Sequence, residues 1–147
     1  KEAKSALTRM IDAANKENLS LKAKVGYYNY ATQSYTYQDT VRLHGEAYAD
    51  QHEPRPGHNE HQTGLAIDFV NSKNNDVNRL KDSEEGKWLM ENAHFYGFIL
   101  RYPEGKEAIT GFAYNPYHYR YVGIEEATIM KKENLTLEEY LAFYKSK

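Results

Sequence analysis

An aspartate stands inside an otherwise apolar strand. Leu65, Ile67 and Phe69 alternate in the manner of a half-buried strand, and Asp68 sits between the last two. A carboxylate there is expensive to desolvate unless a cation or hydrogen bonds compensate it. Gly64 and Ala66 share its face of the pleat and bring no bulk, so that face has open space above it. Two readings fit: a capping or arginine-paired structural aspartate, or the floor of a pocket that presents one carboxylate to a metal or substrate.

Whatever encloses Asp68 must be held by core burial alone, because the 147 residues contain no cysteine. That excludes a disulfide framework, thiolate catalysis and a cysteine-based zinc site, so any metal must be held by His, Asp or Glu. The length corresponds to about one domain, and 40% hydrophobic residues suffice for a core. A net charge of −2 gives no electrostatic footprint for DNA or RNA, so no nucleic-acid partner is expected. No apolar run approaches the ~20 residues that span a bilayer. The opening KEAKSALTRM has no signal-peptide core, so an export signal or anchor is expected to lie outside this chain. The fourteen tyrosines are expected in strands and core, half-buried, with hydroxyls reaching water.

Along the chain, Ala3, Leu7, Met10, Ile11 and Ala14 predict an amphipathic helix, and Ala23, Val25 and Tyr27 a short strand. Tyr37, Val41, His44 and Tyr48 predict one helix from Thr32 to about Tyr48, with a loop over Asp50–Gly57. A polar loop follows at Asn71–Asp76. The next helix covers Glu84–Tyr96, capped by Asp82 or Ser83 and ended by Gly97. Phe98–Tyr102 and Ile109–Tyr114 read as strands joined at Pro103–Lys106, and Tyr117–Val122 continues as strand. Thr136 and Glu139 form a capping box before Tyr140, Leu141 and Tyr144. The sum is one α+β domain over residues 1–147, a small antiparallel sheet with helices packed on one side.

Of six histidines, His44, His52 and His94 read as structural. His61 lies in a loop that runs into the Asp68 strand, and His118 interrupts the tyrosine-rich stretch Tyr114–Gly123. Two imidazoles and a carboxylate leave a fourth position open on a tetrahedral zinc. Spacing alone gives this little weight, since H-x6-D with a distant His arises by chance. No G-x-S-x-G elbow and no phosphate-cradling G-x-x-x-x-G-K-[ST] occurs, so serine hydrolysis and nucleotide hydrolysis are unsupported.

The residues become specific when taken together. Asn59-Glu60-His61-Gln62-Thr63-Gly64-Leu65-Ala66-Ile67-Asp68 is similar to a pattern S-x-H-x-x-G-x-A-x-D, and Asn115-Pro116-Tyr117-His118 to E-x-W-H. Pro56-Gly57, Gly26-Tyr27, Gln33, Trp88, Asn92–Pro103, Ile109–Gly111 and Leu137–Leu141 extend the likeness over most of the chain from Val25 onward. The sequence thus resembles the D-alanyl-D-alanine carboxypeptidases of the VanY type, within the zinc peptidases that include lysostaphin and the Hedgehog signalling domain. The resemblance implies that α+β fold, a Zn2+ ion on His61, Asp68 and His118, and removal of terminal D-alanine from peptidoglycan stem peptides. It further implies a monomer acting at the bacterial cell envelope, outside the cytoplasmic membrane.

The departures fall on the working parts. The catalytic glutamate that the resemblance implies is Asn115, and an amide has no usable proton equilibrium. The arginine that would grip a terminal carboxylate is Tyr28, and the serine after it is Asn29; the motif serine is Asn59 and the motif tryptophan Tyr117. With Gln33, these are the candidate substrate-binding positions. Three readings stay open: an active peptidase whose lost base is replaced by Glu60 or Glu46, a non-hydrolytic relative that binds cell-wall peptide, or an engineered change at Asn115. A strict pleat would point positions 115 and 118 to opposite faces, so Pro116 must bend the strand.

Overall fold

The structure, a computed structural model, describes residues 1–144. Helix α1 spans Glu2–Lys16, and Ala6, Met10 and Ala14 line its buried face at four-residue spacing. Strand β1 (Leu21–Val25) pairs antiparallel with β2 (Ala66–Asn71), β2 with β4 (Asn115–Tyr121), and β4 with β3 (Phe98–Tyr102). The sheet order is β1-β2-β4-β3. Ile67, Phe69, Phe98 and Tyr119 meet α1 and α4 (Glu84–Asn92) in the main core, with Leu80, Trp88 and Leu89. Each large side chain buried there contributes ~1.5–3 kcal/mol relative to exposure.

Three elements differ from the sequence expectation. The helix over Thr32–Tyr48 is two, α2 (Tyr30–His44) and α3 (Glu46–His52), because Gly45 takes φ 89°, a left-handed conformation that interrupts the helical ladder. Asp50–His52 are therefore helical rather than loop. Residues Ile109–Tyr114 do not form a strand: a single turn, α5 (Glu107–Thr110), lies between β3 and β4. Phe112 and Tyr114 alternate as a strand would, but neither is paired in the sheet. Tyr27 falls outside β1, whose alternation begins at Leu21.

Other signals meet their elements. Ser83 caps α4 by accepting the Gly86 N–H at 3.1 Å. Gly97 ends the following 3-10 turn at φ 83°, and a Cβ there would lie 2.8 Å from the Tyr121 ring. Thr136 and Glu139 exchange the reciprocal bonds of a capping box, 2.8 and 3.2 Å, at the start of α7 (Leu137–Tyr144). Helices do not keep to one side of the sheet. Ile99, opposite Phe98 and Leu100 on the pleat, gathers Ala127 and Met130 of α6 (Ile124–Glu133) and Tyr140 of α7.

The tyrosines divide. Tyr102, Tyr119 and Tyr140 are buried, whereas Tyr27, Tyr30 and Tyr35 are largely exposed. The Tyr119 hydroxyl is enclosed without a hydrogen-bond partner, so it does not reach solvent as expected.

Candidate metal centre and cavity

The sheet register brings the three predicted ligands together. Asp68 of β2 stands directly opposite His118 of β4. His61 arrives on a 3-10 turn, Glu60–Thr63, that feeds into β2 and whose cap Asn59 accepts the His61 N–H at 2.8 Å. Gly64 closes that turn ahead of the strand, with nothing within 4 Å of the place a side chain would take. One ligand atom from each of His61, Asp68 and His118 lies within 4.8 Å of the others.

Local bonds orient each donor. His61 Nδ1 is 2.5 Å from the Gly26 carbonyl oxygen, so as donor it leaves Nε2 to face Asp68 Oδ1 at 3.2 Å. His118 Nδ1 meets the same Asp68 oxygen at 2.9 Å. Its Nε2 is enclosed without a hydrogen bond and faces Glu60 Oε2 at 3.5 Å. Tyr102 stacks on the His118 ring at 5.3 Å and Tyr28 tilts over His61 at 5.2 Å. Burial pushes the Asp68 carboxyl up, but bonds from His118 and His61 outweigh it and hold it below the ordinary range. Burial alone would lower His118, yet Asp68 and Glu60 raise it. Two imidazoles around one nearly buried carboxylate, with the His61 ring fixed through its other nitrogen, fit the donor set of a zinc site.

Beneath the triad, Glu60 is held in place. Its Oε1 accepts from Arg101 Nε at 2.7 Å and pairs with Arg120 Nη1 at 3.1 Å. Arg101 in turn makes a two-pronged contact with Glu138 of α7, at 3.0 and 2.6 Å. Burial opposes ionisation of Glu60, but His118 and the two arginines prevail and bring its carboxyl down to about 2. A carboxylate so strongly committed to its ionised form is a poor proton acceptor. Glu46 is no better placed: it is exposed on α3, pairs with Arg55 at 3.0 Å, and does not line the cavity. Glu60 is thus committed to its arginines, and Glu46 stands outside the lining of the cavity.

Above the triad opens a cavity of about 410 Å3. Tyr28, Asn59, Asn115 and Tyr117 line it; Asn29 and Gln33 do not. Asn29 caps α2 by accepting the Thr32 N–H at 2.8 Å. Gln33 is fully buried, donating to the Pro54 carbonyl at 2.6 Å and accepting from the Asn59 amide. It braces the wall from behind. The bend required at Pro116 is present: Leu100 pairs with Tyr119 but Tyr102 with Asn115, so β4 carries extra residues there. Asn115 and His118 consequently border the same cavity. The Asn115 Oδ1 accepts from the Tyr117 and His118 backbone N–H groups, both at 3.2 Å, turning the amide back on its own strand. Three residues that border the site or brace it from behind were not singled out from the sequence. Arg101 offered a signal, a cation amid the apolar Phe98–Tyr102 run, whereas Glu53 and Tyr102 offered none.

A family model described as VanY, D-alanyl-D-alanine carboxypeptidase, matches residues 1–124. The chain belongs to the VanY family. A curated relative, "Putative carboxypeptidase YodJ" of Bacillus subtilis, is 46% identical over 142 residues, covering 95% of this chain and 52% of the relative. The chain thus spans about half the length of that VanY-type relative. Among solved structures, the LdcB LD-carboxypeptidase, described with peptidoglycan recognition, superposes with a TM-score of 0.89 at 44% identity, over 97% of this chain and 67% of that one. A variant of the vancomycin-resistance D,D-pentapeptidase VanY, solved in complex with Zn(II), superposes at 0.85 with 35% identity, over 95% of this chain and 81% of its own. The VanY fold, a small four-stranded antiparallel sheet with helices, is the one the sequence resemblance implied.

Proposed function

We propose that residues 1–147 act as one monomeric, zinc-dependent D,D-/L,D-carboxypeptidase-like domain on peptidoglycan stem peptides, at the bacterial cell envelope, with low or altered turnover. The observation that carries this reading is the convergence of His61, Asp68 and His118 on the floor of a peptide-sized cavity bordered by Asn115. The relatives' names support the substrate class, and the Zn(II) complex of a VanY structure supports the metal. Among the described residues no helix is long and apolar enough to cross a membrane.

Zinc bound at these three residues would polarise a scissile carbonyl and acidify a water molecule. This chain's own residues divide the remaining work unevenly. The Gly26 carbonyl holds the far nitrogen of His61, and Glu60 faces that of His118 at 3.5 Å. Tyr28 and Tyr117 offer hydroxyl donors, both pushed up by burial and by the charges of Asp68 and Glu53, Tyr117 to about 12, so both remain protonated. Asn115 can neither take a proton from a nucleophile nor return one to a leaving amine. General acid–base catalysis is worth ~10²–10⁴-fold, a factor that position 115 does not supply.

That absence favours a second reading, in which the domain is catalytically silent and holds zinc and cell-wall peptide without cutting. Metal counting by mass spectrometry, with D-alanine release from a defined pentapeptide measured with and without chelator, separates the two. About one zinc per chain and slow, chelator-sensitive release are expected. Zinc with no release favours the binding module. No zinc refutes both.

A further inference from the structure

The walls of the cavity carry chemistry unlike its floor. Among the described residues that line it there is no arginine or lysine, and the only carboxylates are Asp68 and Glu53. Asp68 is engaged by two imidazoles. Glu53, at the C-terminal end of α3, uses its backbone N–H to bond the Ala49 carbonyl at 2.7 Å, but its side chain makes no hydrogen bond or salt bridge among the described residues. It is partly buried, and burial together with the charge of Asp68 pushes its carboxyl up against the smaller opposing pull of the His61, His118 and His52 imidazoles. Tyr28 and Tyr117 both respond to the Glu53 charge and border the same space, as do Tyr48 and Tyr114. Aromatic walls around an unpaired carboxylate make a receptor for an ammonium group, held by the carboxylate and by the ring faces.

The same walls are poorly suited to a free chain-end carboxylate. The position where the sequence resemblance implies a gripping arginine is Tyr28, and a second anion would face Glu53 without an arginine or lysine in the lining to offset it.

We propose that the cavity engages a peptide through a protonated primary amine paired with Glu53, and does not select for a free terminal carboxylate. This rests on the reading of the cavity as a stem-peptide site and adds the chemical group that it recognises. In that arrangement a side-chain amine of the peptide serves as the anchor, and a terminus that is amidated, or continued into a further residue, is accepted.

The test is calorimetry on zinc-loaded protein with Ala-Glu-Lys-D-Ala-D-Ala, its lysine-acetylated form and its C-terminal amide. A charge-assisted pair is worth ~1.5–3 kcal/mol, so acetylation should weaken binding about 10–100-fold, while amidation changes it by less than about threefold. Glu53→Gln should erase the acetylation effect, and Tyr28→Arg should create a preference for the acid over the amide. The proposal is overturned if the acetylated peptide binds the unmodified protein as tightly as its parent, or if amidation alone costs more than about tenfold. Should no peptide bind, the stem-peptide reading fails. The amine pairing is then decided by 1,5-diaminopentane: NMR shifts at Tyr28 and Tyr117 that vanish in Glu53→Gln sustain it, and silence overturns it.

Discussion

Floor and wall of the one cavity are built by different means. On the floor, His61, Asp68 and His118 are placed by strand register and by a 3-10 turn that runs directly into a strand, and Glu60, Arg101 and Arg120 fix them from behind. On the wall, Tyr28, Glu53, Asn115 and Tyr117 come from a loop, a helix end and an irregular strand start. The residue types that the resemblance implies survive on the floor and are exchanged on the wall. A floor residue is over-determined by its neighbours, so replacing it strands buried charge. A wall residue faces open space, and its exchange alters what the cavity does without threatening the fold.

The strongest way to break this contrast is at the metal ligands. Alanine at His61, Asp68 or His118 should abolish measurable zinc binding, while Glu60→Gln, which removes the charge behind His118 and weakens the pairs with Arg101 and Arg120, should cost about 10–100-fold in zinc affinity; competition with a chromogenic chelator measures both. Equal losses would mean that floor and support are not separable. On the wall, Asn115→Glu combined with Tyr28→Arg should raise D-alanine release by about 10²–10⁴-fold if the bent start of β4 aims position 115 at the reacting bond. No gain in a folded, zinc-loaded variant would show that it does not. Arg101→Ala leaves Glu138 without this partner and Glu60 with Arg120 alone, and should cost about 3–5 kcal/mol in urea unfolding. The corresponding wall change, Tyr117→Phe, should stay within ~1 kcal/mol, since the hydroxyl borders the open cavity and at most one neutral hydrogen bond, to Asn115, is lost.

A control for the cavity lies outside it. Glu85 of α4 is buried and accepts the Ser20 N–H at 2.8 Å. Burial pushes its carboxyl up, yet that bond and others hold it below the ordinary range near 4.5. A lowered folded value means that its stabilisation is complete above the ordinary range and is lost as pH falls below it. Glu85→Ala should therefore cost about 1–3 kcal/mol at neutral pH and flatten the acid limb of the stability curve. An unchanged acid limb would assign acid sensitivity to the floor carboxylates instead.

How much of this could be read beforehand depends on the range of the interactions involved. Ser83, Gly97 and the Thr136/Glu139 box are signals within one turn of chain, and each was legible. So was the candidate triad, through the motif around His61 and Asp68 and the second motif at His118. Gly45 was passed over because apolar spacing ran continuously across it, and Ile109–Tyr114 because alternation does not reveal whether a partner strand exists. The commitment of Glu60 to Arg101 and Arg120 depends on partners 41 and 60 positions away, found only once the sheet is assembled. Glu53 gave no sign at all: next to His52 and Pro54 it reads as ordinary loop polarity, and only the assembled cavity shows a carboxylate left without a partner.

Arg101 spans two distant parts of the chain, clasping Glu138 near the carboxyl end with one edge and steadying Glu60 with the other. The last helix is thereby a tensioning element for an imidazole it never touches. Trimming the chain before Leu137 would free that guanidinium to swing, and the slackening would arrive at His118 through two salt bridges.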